Sequence, residues 1–425
     1  QMVQPRRLSQ RTLRVIAKRT PELELGRIRD FRQRRGRRWK TLQPLILTML
    51  TGMLAGCRGL AEVEELSENM SGRMRRAIGI GRAVPDTTMR NLACKLDPEE
   101  LRAAMHRALK KAARRKALVP VGLPFGAVAM DGKVTATTML DVQGVIAQRR
   151  SNGLALVRTM TSCLISSAAR VCLDMHVIEA SANESSTFPA AFDRLLREFG
   201  GWFKVITYDS GANSRANAQL VRDNDKHYLF RVQSEQPTIF EECKRRLGRR
   251  RATTAHETVD LHGSTVVTRQ VWVDPKIAGW HQFPGLQTAI RVRSITEDKV
   301  TGERSVLDRY YISSMGHREL SPANWLELVR RHWAVENNCH NTWDRIFRED
   351  DRPWIWQPEG MLNVMLLRRI AYNMLTLFKN VSLKSDSTRS VPWKTLIRQF
   401  RRALEQATDV YFDRLPPMLE AHVTY

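Results

Sequence analysis

Several things are scarce in this chain. It has only six cysteines in 425 residues, Cys57, Cys94, Cys163, Cys172, Cys243 and Cys339, with no CxxC pair and no zinc-ligand spacing. That argues against a disulfide scaffold or a zinc module, and the thiols read as small apolar core residues of a reducing compartment. Long apolar runs are missing too. Leu42–Cys57 and Met361–Phe378 fall short of a clean membrane span, the second being interrupted by Arg368 and Arg369. The first ten residues have no apolar stretch behind them that would make a secretory signal. No membrane role and a cytoplasmic location are therefore expected. Acids are outnumbered, 44 against 69 Lys plus Arg, for a net charge of +25. Such an excess points to a polyanionic partner, nucleic acid before an anionic membrane surface.

The positive charge is uneven. Residues 1–40 hold 14 Lys/Arg and 3 Asp/Glu, a net +11, densest at Arg32, Arg34, Arg35, Arg37, Arg38 and Lys40. This segment reads as a basic arm touching phosphates or as a merely solvated tail. Residues 41–120 read as helices. Asp97-Pro98-Glu99-Glu100 supplies a cap, a proline at the first helical position and two acids in the first turn. After Pro124 the pattern turns to strands at Val128–Asp131, Leu154–Ser166 and Ala169–Ile178. A helix over Ser186–Phe199, a strand over Trp202–Tyr208, a helix over Ser214–Arg222 and a strand over His227–Val232 follow. A basic helix near Ile239 carries Arg245, Arg246, Arg249 and Arg250. Strands at Ser264–Val273, Thr288–Ile295 and Val306–Ser313 come next, then helices at Pro322–Phe347, Gly360–Lys379 and Trp393–Ala407. The fold class is α/β, a mixed sheet flanked by helices; pattern alone does not choose among α/β folds.

Two acids follow apolar strands: Asp131 after Val128-Ala129-Met130, and Asp209 after Val205-Ile206-Thr207-Tyr208. Either could be a turn-former alone, but a carboxylate on a rigid strand also suits a metal ligand. Further on, His332, Glu336, His340 and Asp344 recur every four residues, which on an α-helix places them on one face. A solvated polar face and a structural zinc site are the competing readings of that stripe.

The string His332-Trp333-Ala334-Val335-Glu336-Asn337-Asn338-Cys339-His340, with Asp344 and Phe347-Arg348-Glu349-Asp350, resembles the last catalytic block of bacterial insertion-sequence DDE transposases. The group with the H-repeat-associated proteins is the most similar. Met130-Asp131-Gly132-Lys133 and Ile206-Thr207-Tyr208-Asp209 resemble its first two blocks. Asn183-Glu184, Gln236-Pro237, Tyr310-Tyr311-Ile312-Ser313-Ser314 and Val84-Pro85-Asp86-Thr87-Thr88 are also similar. The chain departs from related transposases at Val329, His332 and Trp343, where a Tyr, an Arg and a Lys are common, and at Gln233-Ser234-Glu235, which lacks the usual Lys and Asn.

The resemblance implies a ribonuclease-H-like core in which Asp131, Asp209 and Glu336 are catalytic and hold two Mg²⁺ ions, Mn²⁺ being able to substitute. It implies supporting roles for His340, Asp344, Asn337, Lys133 and His332. DNA contacts are expected from Arg34, Arg35, Arg37, Arg38, Lys40, Arg245, Arg246, Arg249, Arg250 and Arg331. The implied activity is cutting of terminal inverted repeats and joining of their 3′-OH ends to target DNA, by a homodimer on paired double-stranded ends, without a small-molecule cofactor. A nuclease that cuts without joining and a non-catalytic DNA-binding descendant are the alternatives. The expected organisation is a basic arm (1–40), a helical DNA-binding domain (41–120) and a core (121–236). An inserted β-rich subdomain (237–314), the rest of the core with the glutamate helix (315–380) and a C-terminal helical region (381–425) complete it. Trp272 and Trp280 in the insertion read as β-core packing or, by the resemblance, as a platform for a displaced base.

Overall fold

A computed structural model of the chain describes residues 5–33, 35–141, 143–150, 153–248, 254–383 and 390–406. Its first element is not a trailing arm. Helix α1 (Pro5–Arg19) and two 3-10 turns (Thr20–Leu23, Leu25–Arg27) fold onto the protein, burying Leu13, Ile16, Ala17, Leu23, Leu25 and Ile28. These apolar residues sit between the arginines at helical spacing, so the segment presents a buried stripe and a basic outer face. Helices α2 (Gln43–Leu54), α3 (Leu60–Asn69), α4 (Gly72–Ala77), α5 (Asp86–Lys95) and α6 (Pro98–Arg114) follow. Asp97 caps α6 by accepting a bond from the Glu99 N–H at 3.0 Å.

Among the described residues, ten strands form one mixed sheet: β1 (Ala127–Thr137), β2 (Ala147–Arg149), β3 (Ala155–Leu164), β4 (Cys172–Ile178), β5 (Val205–Tyr208), β6 (His227–Val232), β7 (His256–His262), β8 (Thr265–Asp274), β9 (Thr288–Asp298) and β10 (Arg304–Ser313). Their order is β2-β3-β1-β5-β6-β10-β9-β8-β7, with β4 also on β3. Strands β1, β5 and β6 run parallel, while β3 is antiparallel to β1, and β4 to β3. This polarity is consistent with the ribonuclease-H-like core implied by the resemblance. Helix α7 (Glu184–Phe199) joins β4 to β5, and α8 (Arg215–Asp223) joins β5 to β6.

The β-rich segment is a continuation of the core sheet. Tyr310–Ser313 of β10 pair with Leu229–Val232 of β6, while the outer halves of β8, β9 and β10 extend beyond the core. Helix α9 (Pro237–Leu247) precedes these strands. The expected long helix from Pro322 is broken into α10 (Pro322–His332), a π turn (Val335–His340) and α11 (Asn341–Arg345). Helix α12 (Pro358–Leu377) is buried along nearly its whole length, and α13 (Trp393–Glu405) follows. No helix among the described residues is long and apolar enough to cross a membrane. One continuous core runs from Leu13 to Leu404, so the N-terminal helices share it with the sheet. Inside it, Glu349, Arg368 and Arg369 are fully buried; Glu349 is 2.9 Å from Arg369 Nη2, a charge pairing that offsets the cost of burial.

Gly126 sets where β1 meets β5. Its carbonyl accepts the Lys204 N–H at 2.9 Å, and a Cβ there would overlap the Trp202 carbonyl and come within 3.0 Å of the Phe203 Cα. Backbone cannot yield as a flexible side chain would. Gly126→Ala should therefore cost about 1–3 kcal/mol of stability, visible as a lower denaturant midpoint; an unchanged midpoint would mean that the contact is not tight.

Candidate active site

The pairing of β1 with β5 puts two acids side by side. Met130 and Tyr208 are the last partners in that parallel register, and Asp131 and Asp209 are the next residue on each strand. Neighbouring strands lie about 4.8 Å apart. Asp131 does not end its strand: β1 continues to Thr137, paired on its other side with β3. Only the β5 partner stops, which leaves the edge of β1 beyond Asp131 without a strand on that side. Asp209 does end its strand, capping a 3-10 turn by accepting the Ser210 N–H at 2.7 Å. It also accepts from Arg231 at 3.2 Å and from Gln233 at 3.3 Å.

The π turn brings the third acid in. Winding by i→i+5 adds a residue to the turn, so the four-residue stripe does not remain a single face. His332 is turned toward β5, its Nδ1 2.9 Å from the Thr207 hydroxyl, and His340 toward β3, its Nε2 3.1 Å from the Thr161 hydroxyl. His340 Nδ1 lies 3.5 Å from Asp131. Burial depresses His332 to about 4 and His340 to about 3, so both imidazoles are neutral near pH 7. Asp344 and Asp350 hold the Lys133 ammonium at 2.7 and 2.9 Å. Glu336 instead stays exposed at the mouth of a groove, with Asn337 beside it.

The acids repel one another. Burial pushes Asp131 up to about 8, aided by the negative charges of Glu336, Glu184 and Asp209 in that order. Glu336 is raised as well, by partial desolvation and then by Asp209, against the pull of Arg231 and Arg309. A fourth carboxylate is thus present, Glu184, which the resemblance includes through Asn183-Glu184 but to which the sequence alone assigns no role. Glu184 is the first residue of α7 and accepts the Tyr208 hydroxyl bond at 3.0 Å. The signal for it is the capping box of Asn183 and Ser186, which starts the helix two residues before the expected Ser186.

Several expected DNA contacts already have partners within the chain. Arg37 pairs with Asp30 at 2.9 Å, Arg245 with Glu242 at 2.7 Å, and Arg246 with both Glu242 and Asp274. Arg331 bonds Glu327 and the Ser166 carbonyl. Arg35, Arg38 and Lys40 are exposed, while Arg34, Arg249 and Arg250 lie outside the described residues. Trp272 is buried under the Arg291 guanidinium, 4.7 Å from the ring centre, and fills the β core. Trp280 is half-buried on a 3-10 turn beside His281.

A groove of about 560 Å³ opens from Glu336 along β8, β9 and β10. Arg269, Arg309, Arg330 and Trp333 line it, with Ser294 and Ser305. Arg231 and Arg309 flank the Trp333 ring at 5.5 and 5.1 Å. Among the described residues, no three His, Cys, Asp or Glu groups are gathered as a ready ligand set for a metal ion. Asp209 faces Arg231 and Gln233, and it would have to turn from them to share a cation with Asp131. The donor chemistry nonetheless fits: carboxylate oxygens held by strand and turn backbone, with Asp131 crowded by other acids, suit a hard divalent ion.

A family model described as "Transposase DDE domain" matches residues 147–374, more than half of the chain; Asp209 and Glu336 fall inside the span and Asp131 just ahead of it. The chain is 23% identical over 369 residues to "H repeat-associated putative transposase YhhI" of Escherichia coli (strain K12), covering 82% of this chain and 88% of the relative. It is 26% identical over 210 residues to protein YbfL of the same strain, covering 47% of this chain and 53% of that one. By the family match over more than half of its length, and with a large mixed sheet consistent with it, this chain belongs to the transposase DDE domain family.

Proposed function

We propose that this protein is the DNA transposase of an insertion sequence: it binds terminal inverted repeats, hydrolyses the phosphodiester at each end and joins the freed 3′-OH to target DNA. The adjacency of Asp131 and Asp209 on parallel strands, with Glu336 on the facing π turn, carries this reading. Asp131, Asp209 and Glu336 would hold divalent cations, which supply polarisation of the phosphate and an activated nucleophile. His340, kept neutral by burial, fixes the Asp131 side of the site through its contact with that carboxylate. Lys133, bound to Asp344 and Asp350, ties β1 to the segment after Glu336, a holding role. The exposed Arg35, Arg38 and Lys40 and the N-terminal helices supply the duplex contacts, in a homodimer that brings two ends together.

The groove beside Glu336 is the path of the strand at the cut. Its arginines stand in for the Arg and Lys that related transposases place around the glutamate, positions held here by His332 and Trp343. Arg309 suits a phosphate best: no atom bonds its buried Nε among the described residues, and its guanidinium lies over the Trp333 ring in the groove beside Glu336. Arg309→Ala should weaken binding to DNA of any sequence and lower the salt slope of binding by about one. Filter binding over a range of salt would show this, and an unaltered slope would remove Arg309 from the interface.

The test of the function is incubation of the whole chain with duplexes ending in the element's inverted repeats, with Mg²⁺. Joined products are expected; nicks without joining would make the protein a nuclease, and binding alone a non-catalytic relative.

A further inference from the structure

The junction of β1, β5 and the start of α7 holds one more acid than the three-carboxylate pattern needs. We propose that Glu184 is a fourth carboxylate of the cation centre, set between Asp131 and Asp209 to hold a divalent ion jointly with them. This rests on the reading of the site as a metal-dependent one, which family membership supports independently of Glu184.

Two glycines make the room. A Cβ on Gly132, next to Asp131, would overlap Glu184 Oε1, and a Cβ on Gly211, two residues after Asp209, would lie 2.7 Å from Glu184 Oε2. The Glu184 carboxyl group therefore bridges the backbones that carry both aspartates, one oxygen toward each. Neither glycine has a positive φ, so close approach, rather than an unusual backbone, is what excludes a side chain at these positions. Tyr208, the residue before Asp209, donates its hydroxyl hydrogen to Oε2 and fixes the rotamer. That leaves lone pairs on both oxygens free for a cation. Glu184 is also the first residue of a sixteen-residue helix, where the positive end of the helix dipole favours a charged carboxylate. A glutamate there solely as a helix-start acid would be free to face solvent. This one is half-buried against the strand ends.

The experiment is titration of the whole chain with Mn²⁺ in the absence of DNA, followed by calorimetry or by the spin resonance of the free ion, alongside melting curves. Glu184→Gln should weaken Mn²⁺ binding about 10-fold or more, with cleavage partly recovered at high Mg²⁺. Gly211→Ala keeps the carboxylate but displaces it, and should weaken the ion in the same direction. Wild-type Mn²⁺ affinity in a folded Glu184→Gln protein would overturn the proposal. Asp131→Asn separates the two ideas. If it abolishes Mn²⁺ binding and Glu184→Gln does not weaken it, only the role of Glu184 fails; if the parent chain takes up no Mn²⁺, the metal reading of the whole site fails.

Discussion

Asp131→Asn, Asp209→Asn and Glu336→Gln should each lower strand cleavage at least about 1,000-fold, on the order of 4 kcal/mol in the barrier, while leaving DNA binding in place. Each change keeps the size and shape of the side chain and removes its charge, so the fold has little reason to respond. For Asp131 the change even relieves repulsion, because Glu336, Glu184 and Asp209 all disfavour its ionised form. Asp209→Asn leaves Arg231 without its carboxylate, yet that guanidinium also sits over Trp333 and is not stranded. What each variant loses is negative oxygen in a site where the attacking and leaving oxygens both need stabilisation. End-labelled repeat DNA with Mg²⁺ would read the loss directly, and full cleavage by Asp131→Asn would end the assignment. Binding lost together with cleavage would instead signal misfolding, which melting curves resolve.

The strands that carry Asp131 and Asp209 are legible in the sequence, because Val128-Ala129-Met130 and Val205-Ile206-Thr207-Tyr208 are apolar runs too short for helices and each is followed by an aspartate, although β1 runs on past Asp131 to Thr137. That these strands would be parallel neighbours was not readable from periodicity, which says nothing about pairing; it came from the resemblance. The buried stripe of α1 escaped notice because Leu13, Ile16 and Ala17 are scattered among arginines that dominate the composition. Strand β7 was missed since its polar Glu257 and Asp260 and its lack of buried residues give no apolar alternation. The sheet's continuity was hidden for a related reason: Tyr310–Ser313 belong to the core while the start of the same strand is exposed, and a strand that changes environment midway reads as a unit of the insertion. The π turn is invisible to a four-residue count, which assumes α geometry throughout. Glu184 stands within a segment similar to the family but carries no role there, because a helix start placed at Ser186 leaves it in the preceding loop.

The second large effect is a pH-dependent gap in stability that a divalent cation should close. Asp131 is raised from an ordinary 3.8 to about 8 in the folded, metal-free protein. Between those values the folded state keeps a proton that the unfolded chain has lost, so stability must fall as pH rises, at up to about 1.4 kcal/mol per pH unit. The upward shifts of Glu336 and Asp344 act in the same sense. Histidines act in the opposite sense lower down. With His332 near 4 and His340 near 3, the folded state binds fewer protons than the unfolded one below the usual imidazole value of 6.5, and stability rises with pH there. The clean window is therefore 6.5 to 8, where metal-free protein in chelator should lose about 2 kcal/mol by denaturant unfolding. A cation replaces the missing proton with positive charge, so Mg²⁺ should stabilise the protein far more at pH 8 than at pH 6.5. Asp131→Asn, with no proton to lose, should show a shallower decline and little response to Mg²⁺. Metal-free stability that stayed level or rose between pH 6.5 and 8 would mean that the carboxylates do not crowd one another as they do in this structure.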